Sequence, residues 1–558
     1  MKKRLDHVVI SFDQVTYRHS EELDPVLNEL SFVVNQGDSV LLSGPSGAGK
    51  STLTMLMNGI LPENGNGVID GRIKWFGTVS TNWVAGSISK KIGVMFQDPD
   101  SQFCQTTVEE EIAFGLENLH LPRTEMVQRI HTSLASVGLD GFEQRTIHQL
   151  SGGQKQRVAL ACLLAMKTEI LLLDEPFANI DPLSRRELIA CLFELKQTFD
   201  LTIIVIDHDL HGWVEWIDRA LLLDTDGRIQ LDKPMDKALS DHYDVFEELT
   251  IALPLFIQVQ KIHGQCVYVK EKHWKKHASE QQCDLLHEKI KIKPKKETNT
   301  PPLIQAEALT YSVEGKDILQ NVDLDILQGE TIAFCGHNGA GKSTLALLLA
   351  GLFNRYTGKV YLQGKPLEHL SSQEVRSQIG YVFQNPEHQF VEHTVKEDVG
   401  FGLKLKRLPE EIVSERIQSQ LRSIGLVGYE DHHPLSLSQG QKRRLSVASM
   451  TIDDQTLLLL DEPTYGQDAK SLKNLVGMIQ ERKQQGKTTV MVTHDMELVQ
   501  EVADRTLLLS DGKKIFQGPT SSLWQLGEET LEQHGLVLPS SVKLRTWLGG
   551  LPRVATHH

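Results

Sequence analysis

The chain has 558 residues, 40% of them hydrophobic and 23% charged, an ordinary globular mix too long for one core and suited to roughly three or four domain-sized units. Its formal net charge of −15 argues against a broad nucleic-acid footprint, which needs clustered Lys and Arg. No apolar run approaches the roughly 18 residues that would cross a bilayer, and the six scattered cysteines form no Cys-x-x-Cys pair, so neither a membrane span nor a zinc site is expected. The basic start Met1-Lys-Lys-Arg4 is interrupted by Asp6, His7 and Asp13; no signal peptide is expected, and a cytoplasmic location follows as an expectation.

In chain order, Ser39–Leu42 reads as a buried strand entering Gly44-Pro-Ser-Gly-Ala-Gly49-Lys50-Ser51, and Thr52–Met57 continues as a helix. Next come Phe96-Gln97-Asp-Pro-Asp-Ser-Gln102-Phe103, a helical pattern over Glu109–Leu116, and Leu150-Ser151-Gly-Gly-Gln154. Ile170–Leu173 reads as a buried strand ending in Asp174-Glu175, and Leu201–Ile206 as another, ahead of His208-Asp209. Glu247–Gln258 reads as a helix of a tail that braces the pair of domains. The polar stretch 291–302, with two closing prolines, reads as an exposed linker.

Every motif then returns. The glycine loop recurs as Gly336-His-Asn-Gly-Ala-Gly341-Lys342-Ser343, 292 positions on, after a strand at Thr331–Phe334 and ahead of a helix at Thr344–Leu349. Phe383-Gln384-Asn-Pro-Glu-His-Gln389-Phe390, Leu437-Ser438-Gln-Gly-Gln441 and Leu460-Asp461-Glu462-Pro463 recur at an offset of 287, and His494-Asp495 at 286. Strands at Leu457–Leu460 and Thr488–Val492 and a helix at Glu411–Ile424 accompany them, and even Leu253-Pro254 has its echo in Leu538-Pro539. Strands alternating with helices indicate an α/β fold with a mainly parallel sheet, duplicated along the chain.

The chemistry follows from residue types. Glycines let backbone N–H groups fold around phosphate oxygens at a helix N-terminus, where anions are favoured. Lys50 and Lys342 then reach the β- and γ-phosphates, and Ser51 and Ser343 hold Mg²⁺. The loop residues Gly44, Pro45, Ser46, Gly47, Ala48, Gly49 and Thr52, with Gly336, His337, Asn338, Gly339, Ala340, Gly341 and Thr344, complete two nucleotide cradles. One such glycine loop could arise by chance; two, each between a strand and a helix, exclude that reading. An isolated Asp-Glu pair is usually a solvated surface pair. Behind four apolar residues, Asp174 and Asp461 emerge at a strand's C-terminal edge and suit Mg²⁺ coordination. Glu175 and Glu462 suit activation of the attacking water, so both sites are expected to be hydrolytic.

These motifs together resemble the ATP-binding-cassette (ABC) ATPases, over nearly the whole chain. Leu150-Ser-Gly-Gly-Gln154 matches that family's signature. The resemblance implies two nucleotide-binding domains, each a phosphate-loop core with an antiparallel β subdomain and a helical signature subdomain, pairing head to tail within one chain. Site one would use Lys50, Ser51, Gln97, Asp174, Glu175 and His208 with Ser438 and Gly440. Site two would use Lys342, Ser343, Gln384, Asp461, Glu462 and His494 with Ser151 and Gly153. The family implies Gln97 and Gln384 as Mg²⁺ and water contacts, His208 and His494 as γ-phosphate contacts, and Tyr17 and Tyr311 as adenine-stacking rings. Asp181 and Asp468 match its cross-dimer aspartate. Gln439 replaces the first signature glycine, and Ala469 the proline that follows Asp181.

The stretch Phe-Gln-x-Pro-x-x-Gln-Phe, present twice, resembles the ATPases of energy-coupling-factor (ECF) importers, among them the fused hydroxymethylpyrimidine/thiamine type. That implies a peripheral protein on the cytoplasmic face of the cell membrane, touching the bilayer only through a transmembrane coupling subunit and a substrate-binding membrane subunit, with no nucleic-acid partner. Asp98, Asp100, Asn385, Glu387 and His388 would line grooves for basic coupling helices. Alternative readings are a soluble tandem ABC protein acting on ribosomes, a fused sugar-import ATPase, and ATP binding without turnover. The acidic charge and the stretches Phe177–Asp181 and Thr464–Asp468 speak against the first. Two intact sets of lysine, glutamate and histidine speak against the second, and phosphate release would separate the third. The expected boundaries are 1–240 for the first ATPase domain and 241–302 for its extension and linker, then 303–530 for the second and 531–558 for a tail.

Overall fold

A computed structural model describes residues 7–45, 47–62, 67–83, 86–177, 180–261, 268–278, 302–406, 408–464 and 469–549. Ser46, Asp468, most of the linker and the terminal His557 and His558 lie outside them, as does the Gln439 side chain. The chain divides into two compact units, residues 1–180 with 184–289 and residues 181–183 with 290–558.

The strands of the first unit are β1 (Val8–Arg18), β2 (Leu27–Asn35), β3 (Ser39–Ser43), β4 (Val68–Trp75), β5 (Thr78–Val79), β6 (Ile92–Met95), β7 (Ile170–Asp174), β8 (Thr202–Ile206), β9 (Arg219–Leu223) and β10 (Ile229–Pro234). They form a six-stranded sheet in the order β10-β9-β3-β8-β7-β6 and a four-stranded sheet in the order β2-β1-β4-β5. In the larger sheet all neighbours run parallel except β9 and β10; the smaller is antiparallel. Continuous apolar runs such as Leu-Leu-Leu in β7 and Ile-Ile-Val-Ile in β8 suit strands covered on both faces, and β8 is buried throughout. Alternation in β2, buried every second residue over Leu30–Val34, suits a sheet with one wet face. The helices Val108–Asn118, Arg123–Ser136 and Gly152–Met166 pack on one another as a separate layer.

The second unit repeats this plan with β11 (Pro302–Val313), β12 (Lys316–Leu327), β13 (Thr331–Cys335), β14 (Thr357–Leu362), β15 (Lys365–Pro366), β16 (Ile379–Val382), β17 (Leu457–Asp461), β18 (Thr488–Val492), β19 (Arg505–Ser510) and β20 (Lys513–Pro519). Its sheets are ordered β16-β17-β18-β13-β19-β20 and β12-β11-β14-β15. Its helical layer, Val395–Leu405, Glu410–Ser423 and Gln439–Thr451, has a small core of its own around Val399, Leu403, Leu421 and Leu445.

Parallel register positions the chemistry. Leu42 of β3 lies beside Ile206 of β8, and Asp174 of β7 beside the same Ile206, so the glycine loop, the acidic pair and the residues after β8 leave the sheet at one edge. The second unit matches it with Phe334 and Asp461 both beside Val492. That edge is where ligands bind in open α/β sheets.

The helix expected over Glu247–Gln258 is corrected. The structure has two short helices, Tyr243–Glu248 and Leu255–Lys261. Thr250 between them takes a left-handed φ of 56°, and the Pro254 ring disfavours helix at Leu253, so the turn cannot run through.

Candidate active sites

Each glycine loop closes onto a helix through a left-handed glycine. Gly49 (φ 85°) precedes Lys50–Met57 and Gly341 (φ 96°) precedes Lys342–Leu349. A Cβ at Gly49 would lie 2.9 Å from the Val26 carbonyl oxygen and 2.7 Å from Leu27, so conformation and space both demand glycine. Lys50 Nζ donates to the carbonyls of Gly44 (2.7 Å) and Pro45 (2.8 Å). Lys342 Nζ does the same to Gly336 (2.9 Å) and His337 (3.0 Å). Both ammonium groups thus fold over their own loops, where phosphate oxygens could replace the carbonyls. Burial lowers the Lys342 pKa, against the pull of Glu462 and Asp461.

The acidic pairs stand where the strands end. In the first unit, burial and the adjacent Glu175 charge push the Asp174 carboxyl up to about 6, while a hydrogen bond with Ser51 and the Lys50 charge oppose the shift. Glu175 has a left-handed φ of 43° and Glu462 one of 44°. Both are held there by backbone bonds, Glu175 N–H to Ile206 O (2.9 Å) and Glu462 N–H to Val492 O (2.8 Å). Such backbone costs about 1–3 kcal/mol and clusters at functional sites. Here it turns the glutamate away from the line of its strand.

Two groups converge on Glu175. Gln97 Nε2 donates to its Oε2 at 2.8 Å, and His208 Nδ1 lies 3.7 Å from its Oε1. Burial disfavours the Glu175 charge, but His208 and Lys50 outweigh it and hold the carboxyl below its ordinary value. Burial likewise opposes the His208 charge, yet Glu175, Asp207 and Asp209 push its pKa up to about 9. The geometry is a carboxylate with a histidine beside it, an arrangement that suits a base accepting a proton from water. In the second unit His494 Nδ1 stands 3.1 Å from Glu462 Oε1. There burial is again outweighed by Glu462, and the His494 pKa is raised.

Ser343 Oγ donates to Asp461 Oδ1 at 3.0 Å, a spacing that fits neighbouring corners of an octahedron of oxygens about 2.1 Å from its centre. Ser51 and Asp174 form the matching pair. Oxygen-only donors beside a lysine suit a hard divalent cation bound together with phosphate. Among the described residues no group of three His, Cys, Asp or Glu could hold a metal alone.

The signature serines cap their helices. Ser151 Oγ accepts from Gln154 N–H (3.3 Å), and Gln154 Oε1 accepts from Ser151 N–H (3.0 Å). Ser438 and Gln441 repeat this at 3.4 and 2.9 Å. Gly153 and Gly440 lie in the first turns behind them. Each helix is tied to the Gln-containing loop of its own unit by an ion pair, Lys155 with Asp100 (2.6 Å) and Lys442 with Glu387 (2.6 Å). These acidic groups, expected to face basic helices of a partner, are therefore already met by lysines of the same unit. Asp98 accepts from the Asp100 N–H, while Asn385, Glu387 and His388 line a cleft of about 380 Å³ that also touches Gln384, Tyr381 and Asp461.

Tyr17 is only 1% exposed and sits in the first unit's core, its ring close to Gly67. Tyr311 is half-buried and stacks on Phe353 with centroids 5.5 Å apart.

Several groups around the sites escape motif reading. Tyr381 OH donates to Asp461 Oδ2 at 3.0 Å. The buried Arg443 donates to the carbonyls of Phe383, Gln384, Asp461 and Glu462. Behind His208, Arg185 pairs with Asp209, and Trp213 Nε1 donates to Asp207 Oδ2 at 2.8 Å. The available signal was mismatch between the halves, since at an offset of 287 Tyr381 answers to Val94 and Arg443 to Gln156.

Residues 27–178 and 319–465 match the protein family described as ABC transporter. A Bacillus subtilis (strain 168) protein that carries the provisional name HMP/thiamine import ATP-binding protein YkoD is 38% identical over 533 residues, 95% of this chain and 95% of that protein. A Methanosarcina acetivorans protein provisionally named an ABC transporter ATP-binding protein is 36% identical over 551 residues, 96% of this chain and 89% of that one. Among solved structures, cbiO1 from Clostridium perfringens, described as part of the ABC transporter complex cbiONQ, aligns with 29% identity and a TM-score of 0.37. It covers 42% of this chain and 94% of that one.

Proposed function

The chain belongs to the ABC transporter family as a tandem ATPase with two ABC domains, and from that premise we propose that it energises an ECF-type importer of a vitamin or metal ion. The observation that carries the hydrolytic part is the duplicated glutamate–histidine pair, Glu175 with His208 and Glu462 with His494, each beside a glycine loop and its lysine. The import part rests on the relative named for HMP/thiamine import, similar over 95% of this chain, together with the paired Phe-Gln-x-Pro-x-x-Gln-Phe stretches. Among the described residues no helix is long and apolar enough to cross a membrane, so the membrane path is assigned to partner subunits. The protein then works at the cytoplasmic face as a peripheral subunit.

In this reading each lysine leaves its two loop carbonyls for the β- and γ-phosphates of ATP. The backbone N–H groups of the glycine loop and the start of its helix bind the remaining phosphate oxygens. Ser51 with Asp174, and Ser343 with Asp461, would hold Mg²⁺, which when bound offsets phosphate charge. Gln97 and Gln384 position water near that group. Glu175 and Glu462 take a proton from the attacking water, and His208 and His494 orient those carboxylates. The serines Ser151 and Ser438 cap the γ-phosphate held by the opposite domain, so two ATP molecules close the domains head to tail and hydrolysis releases them. Closure moves the clefts beside Gln97 and Gln384 and so drives the membrane partners.

The test is uptake by the intact transporter in membrane vesicles, with its membrane subunits identified by purification from native membranes. Glu175→Gln combined with Glu462→Gln should abolish uptake of the cognate vitamin or ion while leaving the complex assembled. Unchanged uptake by that variant would refute the proposal.

A further inference from the structure

The units share one plan, and one set of their differences surrounds a single carboxylate. In the second unit both Asp461 oxygens are engaged, Oδ1 by Ser343 Oγ and Oδ2 by the Tyr381 hydroxyl, each at 3.0 Å. Tyr381 comes from β16, three residues before Gln384, and is 6% exposed. Its counterpart on β6 is Val94, which carries no hydrogen-bonding group.

The backbone around Asp461 differs as well. The Arg443 guanidinium, 2% exposed, reaches four carbonyls, those of Phe383 and Gln384 on one side and Asp461 and Glu462 on the other. One planar, always-charged group thus clips the start of the Gln384 loop to the end of β17. The first unit has Gln156 at this position, fully buried, and among the described residues neither its amide nitrogen nor its amide oxygen has a hydrogen-bond partner.

We propose that Tyr381 is a positioning residue for Asp461 and that, with Arg443 fixing the backbone, it makes the second site take up magnesium–nucleotide at lower magnesium concentration than the first. The inference rests on the reading of Ser343 and Asp461 as the magnesium ligands. A carboxylate held through its far oxygen keeps one orientation before the cation arrives, so less freedom is lost on binding. Its near oxygen stays beside Ser343 Oγ. Val94 has no hydroxyl with which to hold Asp174 in the same way.

The test uses the full chain carrying Lys50→Ala, which confines nucleotide to the second site. Binding of a fluorescent non-hydrolysable ATP analogue is followed as Mg²⁺ is titrated. Tyr381→Phe removes one oxygen and should raise the half-saturating Mg²⁺ about tenfold, with analogue binding in EDTA unchanged. A titration identical to that of the Lys50→Ala parent would overturn the proposal. Asp461→Asn in the same background separates the premise from the inference. If it leaves the Mg²⁺ requirement unaltered, the ligand assignment has failed; if it alters it and Tyr381→Phe does not, the role of Tyr381 has failed. A second comparison needs no change in the core: the chain with Lys342→Ala, read at the first site, should require more Mg²⁺ than the chain with Lys50→Ala. Equal requirements would also overturn the proposal.

Discussion

At the scale of single residues, the signature serines combine two tasks that mutation can separate. Ser438 Oγ caps its own helix by accepting from Gln441 N–H, and in the proposed function it also meets a γ-phosphate. Ser438→Ala should therefore cost about 1 kcal/mol of stability through the lost cap, together with much of the ATPase activity. Asp is as good an N-cap as Ser, but its carboxylate would repel phosphate. Ser438→Asp should thus restore the thermal midpoint while hydrolysis stays low. Recovery of both together would reduce Ser438 to a capping residue. Chemistry-bearing residues of this kind were legible in the sequence because they sit in fixed spacings: the lysines, the acidic pairs and the histidines all lie at the sheet edge where the motifs put them. The burial of Tyr17 was not legible, because Gly67, 50 residues away, lies against its ring and no local pattern reports such a neighbour. Tyr381 and Arg443 were not legible because tyrosine after a glycine in a strand, or arginine in a helix, carries no sign of which carbonyl or carboxylate it will meet.

At the scale of elements, strands buried on both faces were read almost to the residue, since an apolar run of that length between turn residues has few other uses. The tail after β10 was harder. Apolar spacing over Glu247–Gln258 is helical, but a left-handed Thr250 and the demand of Pro254 break the segment into two pieces. The β12–β13 junction carries a testable pH dependence. Glu330 there is 7% exposed; it accepts from Leu327 N–H at 2.7 Å and lies 3.3 Å from Arg505. Burial, with the charges of Asp325 and Asp504, pushes its carboxyl up to about 7 despite Leu327 and Arg505. A carboxyl whose folded pKa exceeds its unfolded value near 4.5 favours folding most below that value. This contribution is lost as pH rises from about 4.5 through about 7. Glu330→Gln removes the titration, so the difference in thermal midpoint between wild type and variant should change across that window and level off above it. A difference that stays constant from pH 4 to 8 would contradict the assignment.

At the scale of the whole molecule, the chain is one ATPase plan written twice, and the copies have diverged around matching carboxylates instead of losing them. The second has Tyr381 and Arg443 about Asp461, and the first has Arg185, Asp207 and Trp213 behind His208. Neither half lacks a lysine, serine, aspartate, glutamate or histidine of the set, which is why two working sites are expected. Lys50→Ala and Lys342→Ala should each leave the other site able to bind one nucleotide, and each should abolish most turnover if both ATP molecules are needed for closure. The most direct measurement is the nucleotide retained by Glu175→Gln combined with Glu462→Gln after incubation with Mg²⁺ and ATP. Two intact ATP molecules per chain are expected, with phosphate release at least about a hundredfold below wild type, the loss that removal of a general base brings. Phosphate release at the wild-type rate would contradict the assignment of both glutamates and the two-site ATPase built on them.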